Sequence, residues 1–273
     1  MENIKEIVKE KYGRIAAMSD DSGSGGCCGG SSCCGSAMDY TVFSESYETQ
    51  EGYHADANLG LGCGIPTEFA GLKAGDHVLD LGSGAGNDCF VARAIVGAGG
   101  RVTGLDFSEE MITKALKNVA KLGFENVVFV QGDIEEMPFT NSRFDVILSN
   151  CVLNLVPDKS TAFAEMMRVL RPGGHFCVSD VVTKGELPQS VKNDAEMYAG
   201  CVAGALNMDD YLQIIRDAGF ENTQIHKQKK IEIPDEILKN YLSEGETLAE
   251  MKDNTGLFSI TVSAHKLKES TQN

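Results

Sequence analysis

From Asp76 onward the chain alternates strand and helix patterns, and that alternation limits the fold more than any other feature. His77-Val78-Leu79-Asp80-Leu81 is a short apolar run, followed by a helical pattern over residues 88–96. The strand signal returns at 101–106, 127–130, 144–149 and 175–182. Between these runs lie helical patterns at 108–122, with Ser108 placed to cap and Glu109 and Glu110 in the first turn, and at 161–170. The second of these ends at Arg171-Pro172-Gly173-Gly174, read as a helix stop followed by a turn. Strands that alternate with helices predict a parallel sheet covered on both faces, and right-handed crossovers make it doubly wound. Residues 183–208 carry no strand signal and read as inserted helices. A helix over 209–218 and strands near 223–233 and 258–265 follow, which brings the expected sheet to seven strands.

Charge narrows the function. The 273 residues hold 24 Lys and Arg against 40 Asp and Glu, a net charge of −16. Phosphate backbones and anionic lipid surfaces are held by clustered cations, so neither nucleic acid nor a membrane surface is an expected partner. No stretch approaches the roughly 20 apolar residues of a bilayer span. Met1-Glu2-Asn3-Ile4-Lys5-Glu6 lacks the apolar centre of a secretory signal. The chain reads as cytoplasmic. In that reducing compartment its nine cysteines are expected to be reactive groups or soft-ion ligands, not a disulfide framework. Residues 4–18 read as an amphipathic helix. Residues 22–36, rich in Gly and Ser and carrying Cys27, Cys28, Cys33 and Cys34, read as a flexible tether.

Asp80-Leu81-Gly82-Ser83-Gly84-Ala85-Gly86 follows a strand and opens a helix, a place where glycines let the backbone turn sharply and approach a ligand. Asp106 lies 20 residues beyond Gly86, the spacing at which an acid meets ribose hydroxyls. Asp133 is a third acid, expected to end the third strand. A dinucleotide needs its pyrophosphate met by a helix N-terminus, often with basic help. No Lys or Arg stands between Asp80 and Asp88, and an acidic loop suits a cation such as a sulfonium. These segments, with Gly104-Leu105-Asp106, Gly132-Asp133-Ile134-Glu135-Glu136-Met137-Pro138-Phe139 and Leu170-Arg171-Pro172-Gly173-Gly174, resemble the class I S-adenosylmethionine-dependent methyltransferases. The resemblance implies a Rossmann-like sheet closed by an antiparallel last strand. It gives the methionine end of S-adenosylmethionine to Asp80, Gly82, Gly84 and Gly86. Asp106 takes the ribose, Asp133 and Ile134 the adenine edge, and Phe107 packs near the adenine. Asn150, at the end of the fourth strand, is assigned to the same site.

The cysteines speak to the acceptor. Cys151 falls just past the fourth strand, where open parallel sheets bind ligands. Cys63 lies on a Gly-rich segment before the first strand, and Cys201 in the inserted region. Three thiols form a soft site, and none has the Cys-x-x-Cys partner usual for structural zinc. Trivalent arsenic takes three sulfurs and keeps a lone pair able to attack a methyl sulfonium, so only alignment is required. Ala57-Asn58-Leu59-Gly60-Leu61-Gly62-Cys63-Gly64-Ile65-Pro66 and Ser149-Asn150-Cys151-Val152-Leu153-Asn154-Leu155-Val156-Pro157 resemble arsenite S-adenosylmethionine methyltransferases. That resemblance implies Cys151 and Cys201 as principal arsenic ligands and Cys63 as a third thiol that also enters disulfide chemistry. It implies arsenite or its thiol conjugate as substrate and a thiol reductant such as thioredoxin or glutathione. An N-terminal cysteine would pair with Cys63; Cys33 and Cys34 are nearer in sequence than Cys27 and Cys28.

Cys89 and Cys177 read as core, Tyr47 and Tyr53 read first as packing and second as rings over the cofactor, and His77 at the strand mouth reads as structural. The expected division is 1–57 for the helix and tether, 58–183 for cofactor binding, and 184–273 for the arsenic-binding insert and the completion of the sheet. Two rivals stand beside this reading: a carbon or oxygen methyltransferase of a quinone- or sterol-like lipid, and a non-catalytic protein that sequesters soft metals or senses redox state.

Overall fold

Short runs of Val, Leu, Ile and Phe make central strands that bury both faces, and in the computed structural model these join two more exposed edge strands in one sheet. The structure describes residues 2–21, 45–185, 201–232, 235, 239 and 256–268. The tether at 22–36 with its four cysteines lies outside the described residues, as do residues 186–200 of the expected insert.

The strands are β1 (His77–Leu81), β2 (Arg101–Asp106), β3 (Val127–Gln131), β4 (Phe144–Asn150), β5 (Leu170–Lys184), β6 (Glu221–Ile231) and β7 (Gly256–His265). They lie in the order β3-β2-β1-β4-β5-β7-β6. β1 to β5 pair in parallel, and β7 runs antiparallel between β5 and β6. The strand order reverses between β1 and β4. A crevice opens beyond the carboxyl ends of strands at such a switch point.

Helices α1 (Glu2–Asp21), α2 (Asn87–Val96), α3 (Glu109–Leu122), α4 (Lys159–Val169) and α5 (Met208–Asp217) accompany the sheet. Their starts follow from local chemistry. Ser108 Oγ accepts from Met111 N at 3.2 Å to cap α3, and Asp158 Oδ1 accepts from Thr161 N at 3.1 Å to cap α4. Alternate residues of each strand face opposite layers. Leu79, Leu81, Ile147, Phe176 and Val178 join Phe163 and Tyr211 in one core. Val78, Val102, Val146, Leu148 and Cys177 join Cys89, Phe90 and Val96 of α2 in the other.

Three local expectations change. The Arg171–Gly174 segment is not a turn ahead of a strand, since β5 begins at Leu170, directly after α4. Pairing with β4 is irregular between Phe144 and Val146, and Gly173, at φ +82°, donates its N–H to Lys266 O at 3.0 Å. The segment is therefore a bulge held between neighbouring strands. Asp133 does not end β3, which stops at Gln131; it lies two residues on, bridged to Glu136. His77 opens β1, so it stands at the amino edge of the sheet, opposite the mouth. Among the described residues no helix is long and apolar enough to cross a membrane.

Phe163 lies in the first core, among three other rings. It is fully buried, with ring centroids 5.6 Å from Phe176, 5.8 Å from Tyr211 and 6.4 Å from Phe220. Phe163→Ala removes the ring and leaves a cavity between α4, α5 and the sheet. The expected loss is about 3–5 kcal/mol, measured as a fall in the urea unfolding midpoint. A loss below about 1 kcal/mol contradicts this packing.

Candidate active site

The turn after β1 makes the floor of a cleft. Gly82 and Gly84 both stand at positive φ, +64° and +52°. A Cβ on Gly82 would meet Val152 Cγ2 at 2.4 Å, whereas above Gly84 the nearest atom is Met111 Sδ at 4.0 Å. The first glycine is required by close packing, and the second opens a cradle toward the cleft. Gly86, expected at the same site, is absent from the cleft wall. It precedes α2, where a Cβ would strike the rings of Phe129 and Phe90.

Asp106, at the end of β2, is 7% exposed. Its two oxygens accept from Gly84 N and Ser108 N, each at 2.9 Å. Burial raises this acid to about 6, against the pull of the Ser108, Gly84 and Phe107 N–H groups. Phe107, Asp133 and Ile134 line the far end of the cleft. Asp133 Oδ1 accepts from Glu135 N at 2.9 Å.

Asp80 and Asp88 face each other at the near end. Cys89 Sγ donates to Asp80 Oδ2 at 3.3 Å, and Tyr47 Oη donates to Asp88 Oδ1 at 2.7 Å. Asn150 joins this group. Its two amide hydrogens are shared among Tyr47 Oη at 2.7 Å, Gly64 O at 2.8 Å and Asp88 Oδ2 at 3.1 Å. Burial and then the Asp88 charge push Asp80 well above the usual carboxylate range, and burial raises Asp88 to about 6. Two buried acids that repel each other favour a cation between them. Ser83 Oγ and Asn87 Oδ1, also on the cleft wall, are buried without a partner among the described residues. An acidic near end, an open glycine cradle, unsatisfied polar atoms and a carboxylate at ribose spacing all fit S-adenosylmethionine.

Cys63, Cys151 and Cys201 come from three distant segments and meet beside this cleft. They are 0%, 5% and 3% exposed. The Cys151 thiol is hydrogen bonded to both others, which holds it well above the usual thiol range; burial adds to the rise. Burial likewise raises Cys63. Cys201 Sγ points to Cys151 O at 2.8 Å, and Ser259 Oγ donates to Cys63 O at 2.5 Å. Of the three, only Cys151 also lines the cleft. Cys151 and Cys201 have φ of +60° and +63°, two of four non-glycine residues in the left-handed region among the described residues. Such backbone costs about 1–3 kcal/mol per residue and collects at functional sites. Among the described residues no group of three or more His, Cys, Asp or Glu is arranged to hold a metal ion. The thiols are hydrogen-bonded neighbours and not a closed cage. Cys33 and Cys34 lie outside the described residues. Cys89 and Cys177 are fully buried.

Several groups at this site escape a reading of the sequence alone. Tyr47 has no local motif, although Asp88 had a weak one, an acid in the first turn of a helix facing a strand end. Behind the thiols, Tyr211 Oη donates to Asp180 Oδ2 at 3.2 Å, and Asn154 Nδ2 donates to Val181 O at 2.6 Å and Cys201 O at 3.3 Å.

Residues 72–219 match a methyltransferase-domain family model. An arsenite methyltransferase of Halobacterium salinarum is 44% identical over 82% of this chain and 59% of its own length. An arsenite methyltransferase of Aquipseudomonas alcaligenes is 34% identical over 88% of this chain and 68% of its own. The chain therefore spans about three fifths to two thirds of these relatives. The crystal structure of an arsenic(III) S-adenosylmethionine methyltransferase from Chlamydomonas reinhardtii superposes with a TM-score of 0.64 at 36% identity, covering 78% of this chain and 69% of that one.

Asp180 gives the site a stability signature. Burial raises it from 3.8 to about 7, with the Lys159 ammonium, Val181 N and the Tyr211 hydroxyl pulling the other way. An acid raised on folding binds more protons folded than unfolded. Its contribution is full below its unfolded value and is lost as pH climbs through about 7. Asp180→Asn removes that dependence. Between pH 5 and 8 the variant is expected to lose roughly 2–3 kcal/mol less stability than the wild type, read from urea unfolding at both values. Parallel stability profiles for the two proteins contradict the assignment.

Proposed function

The chain belongs to the methyltransferases and, among them, to the arsenite methyltransferases, and from that premise we propose that it methylates trivalent arsenic held on Cys63, Cys151 and Cys201. The carrying observation is the meeting of three buried thiols, one of which borders the cofactor cleft. The raised Cys63 and Cys151 thiols stay protonated, which suits loading with arsenite. Each As–OH takes up a thiol proton and leaves as water while an As–S bond forms, so no base is needed and no charge is buried. A thiol conjugate loads by exchange, releasing free thiol.

When bound, S-adenosylmethionine supplies a methyl on a positively charged sulfur, and the bonding pair returns to that sulfur as the arsenic lone pair takes the methyl. The residues do the positioning. Asp80 and Asp88 favour the positive end of the cofactor. Asp106, already fixed by two N–H groups, receives the ribose hydroxyls. Phe107, Ile134 and Asp133 hold the adenine. Cys151 brings the arsenic to the rim where the methyl emerges. Transfer leaves arsenic oxidised by two electrons. The thiol of Cys33 or Cys34 attacks the arsenic-bound sulfur of Cys63: the S–S bond forms as the As–S bond breaks, its pair stays on arsenic, and the thiol proton leaves to water; a thiol such as glutathione or a thioredoxin then reduces that disulfide. This requirement suits the reducing cytoplasm.

Labelled S-adenosylmethionine and arsenite are expected to yield methyl on arsenic. Cys151→Ser and Cys201→Ser are each expected to lower that yield at least 100-fold while leaving cofactor affinity within twofold. Label on an organic acceptor regardless of the thiols, or arsenic bound with no label transferred, overturns the proposal. Asp106→Ala removes charge-assisted hydrogen bonds of roughly 1.5–3 kcal/mol, about 10- to 150-fold in cofactor Kd by titration calorimetry. An unchanged Kd removes Asp106 from the site.

A further inference from the structure

The transfer chemistry makes no use of α1, yet α1 forms part of the cofactor cleft. Lys5, Val8 and Tyr12 all line it, and Val8 is 1% exposed. The helix lies against α3, where Gly13 faces the first turn: a Cβ there would stand 3.2 Å from Glu110 Cδ. Its attachment at the other end is ionic. Lys5 Nζ donates to Asp133 Oδ2 at 2.6 Å and pairs with Glu135 as well. Asp133 and Glu135 are two residues apart and carry like charges, and one ammonium answers both. This pairing joins residues 128 positions apart, so it ties the amino-terminal helix to the rim of the cleft and does not arise from local sequence.

We infer that Lys5 is a cofactor-retaining residue: its ion pairs to Asp133 and Glu135 strap α1 across the adenine end of the cleft, and bound cofactor leaves only when that strap lifts. The inference rests on the reading of this cleft as the cofactor site. The strength of the tie fits a strap that opens repeatedly. The Lys5 side chain is 38% exposed, and ion pairs at such exposure are weak and screened by salt. The buried Val8 supplies an apolar contact that re-seats the helix after each opening. The strap thus governs rate of escape more than final affinity, as lids over active sites commonly do.

Release of labelled S-adenosylhomocysteine from the full chain, chased with unlabelled compound, reads the strap directly. Lys5→Met is expected to speed release about 3- to 10-fold, and Lys5→Arg to restore it to within twofold of wild type. Raising salt from 50 to 500 mM is expected to speed release from the wild type and to leave Lys5→Met unchanged. The wild-type salt series needs no variant, so it tests the strap even if Lys5→Met folds poorly. Equal release rates for wild type and Lys5→Met, or a wild-type rate indifferent to salt, overturn the inference. Failure of the cleft reading looks different: the Asp106→Ala Kd is then unchanged. An Asp106→Ala loss of affinity together with no Lys5 effect retires the strap alone.

Discussion

One amide side chain holds the two halves of the site together. Asn150 closes β4, and its oxygen accepts from Cys63 N at 3.0 Å while its nitrogen reaches Gly64 O, Tyr47 and Asp88. The Cys63 loop, the amino-terminal Tyr47 and the acid of α2 are all indexed to the end of one strand, immediately beside Cys151. The glycines around Cys63 serve that docking. A Cβ on Gly62 would lie 2.5 Å from Asn150 Nδ2, and one on Gly64 would lie 2.6 Å from Ser179 Oγ. The loop carries glycine because it is pressed flat against β4 and β5, not because it must move. Asn150 is half-buried, and turning away would break four hydrogen bonds at once, so it has little freedom to leave either half.

The thiols add a second constraint, in the backbone. Cys151 N still donates to Ser179 O at 2.8 Å, continuing the β4–β5 ladder, yet its φ is already left-handed. The chain thus turns off the sheet at the first residue past the strand. Cys201 adopts the same unfavourable conformation, and Asn154 anchors its carbonyl to the segment that follows β4. Two strained neighbouring cysteines are hard to explain by packing alone, since Gly would adopt either backbone conformation at lower cost. Strain of this kind persists where the surroundings over-determine it, and here the surroundings are the hydrogen-bonded ends of β4 and β5.

What the sequence disclosed followed from how local each signal was. β1, β2 and the cap of α3 were legible because buried parallel strands read as continuous apolar runs and Ser108 caps within its own turn. Asp106 was legible because a fixed spacing joins a glycine turn to the next strand end. Arg171–Gly174 misled because Pro and Gly signal a turn, while the bulge they form depends on Lys266 across the sheet. Gly86 misled in a similar way: its motif position is shared with ligand-facing glycines, but its neighbours are Phe90 and Phe129. Lys5 and Asp180 gave no signal, and Tyr47 only a second reading beside packing. Their partners are 128, 31 and 41 residues away, and only the folded sheet brings them together.

Charge explains why thiols this deeply buried can serve the proposed substrate. A divalent cation needs ionised thiolates, and each would have to exist in a pocket that already penalises charge and lies near the Asp180 carboxyl. Under the proposed function, neutral arsenite would meet thiols, Cys63 and Cys151 among them, that burial and hydrogen bonding hold protonated, and each hydroxyl would leave as water, so loading would add no charge to the pocket. The cofactor end is built oppositely. Asp80 and Asp88 share a buried space whose mutual repulsion a positive sulfur or ammonium relieves. Under the same proposed function, the acidic end of the cleft would draw the cation and the thiols behind it the neutral metalloid. Cys151, bordering both, is where the two environments meet, and burial there excludes the water that would compete for either reactant.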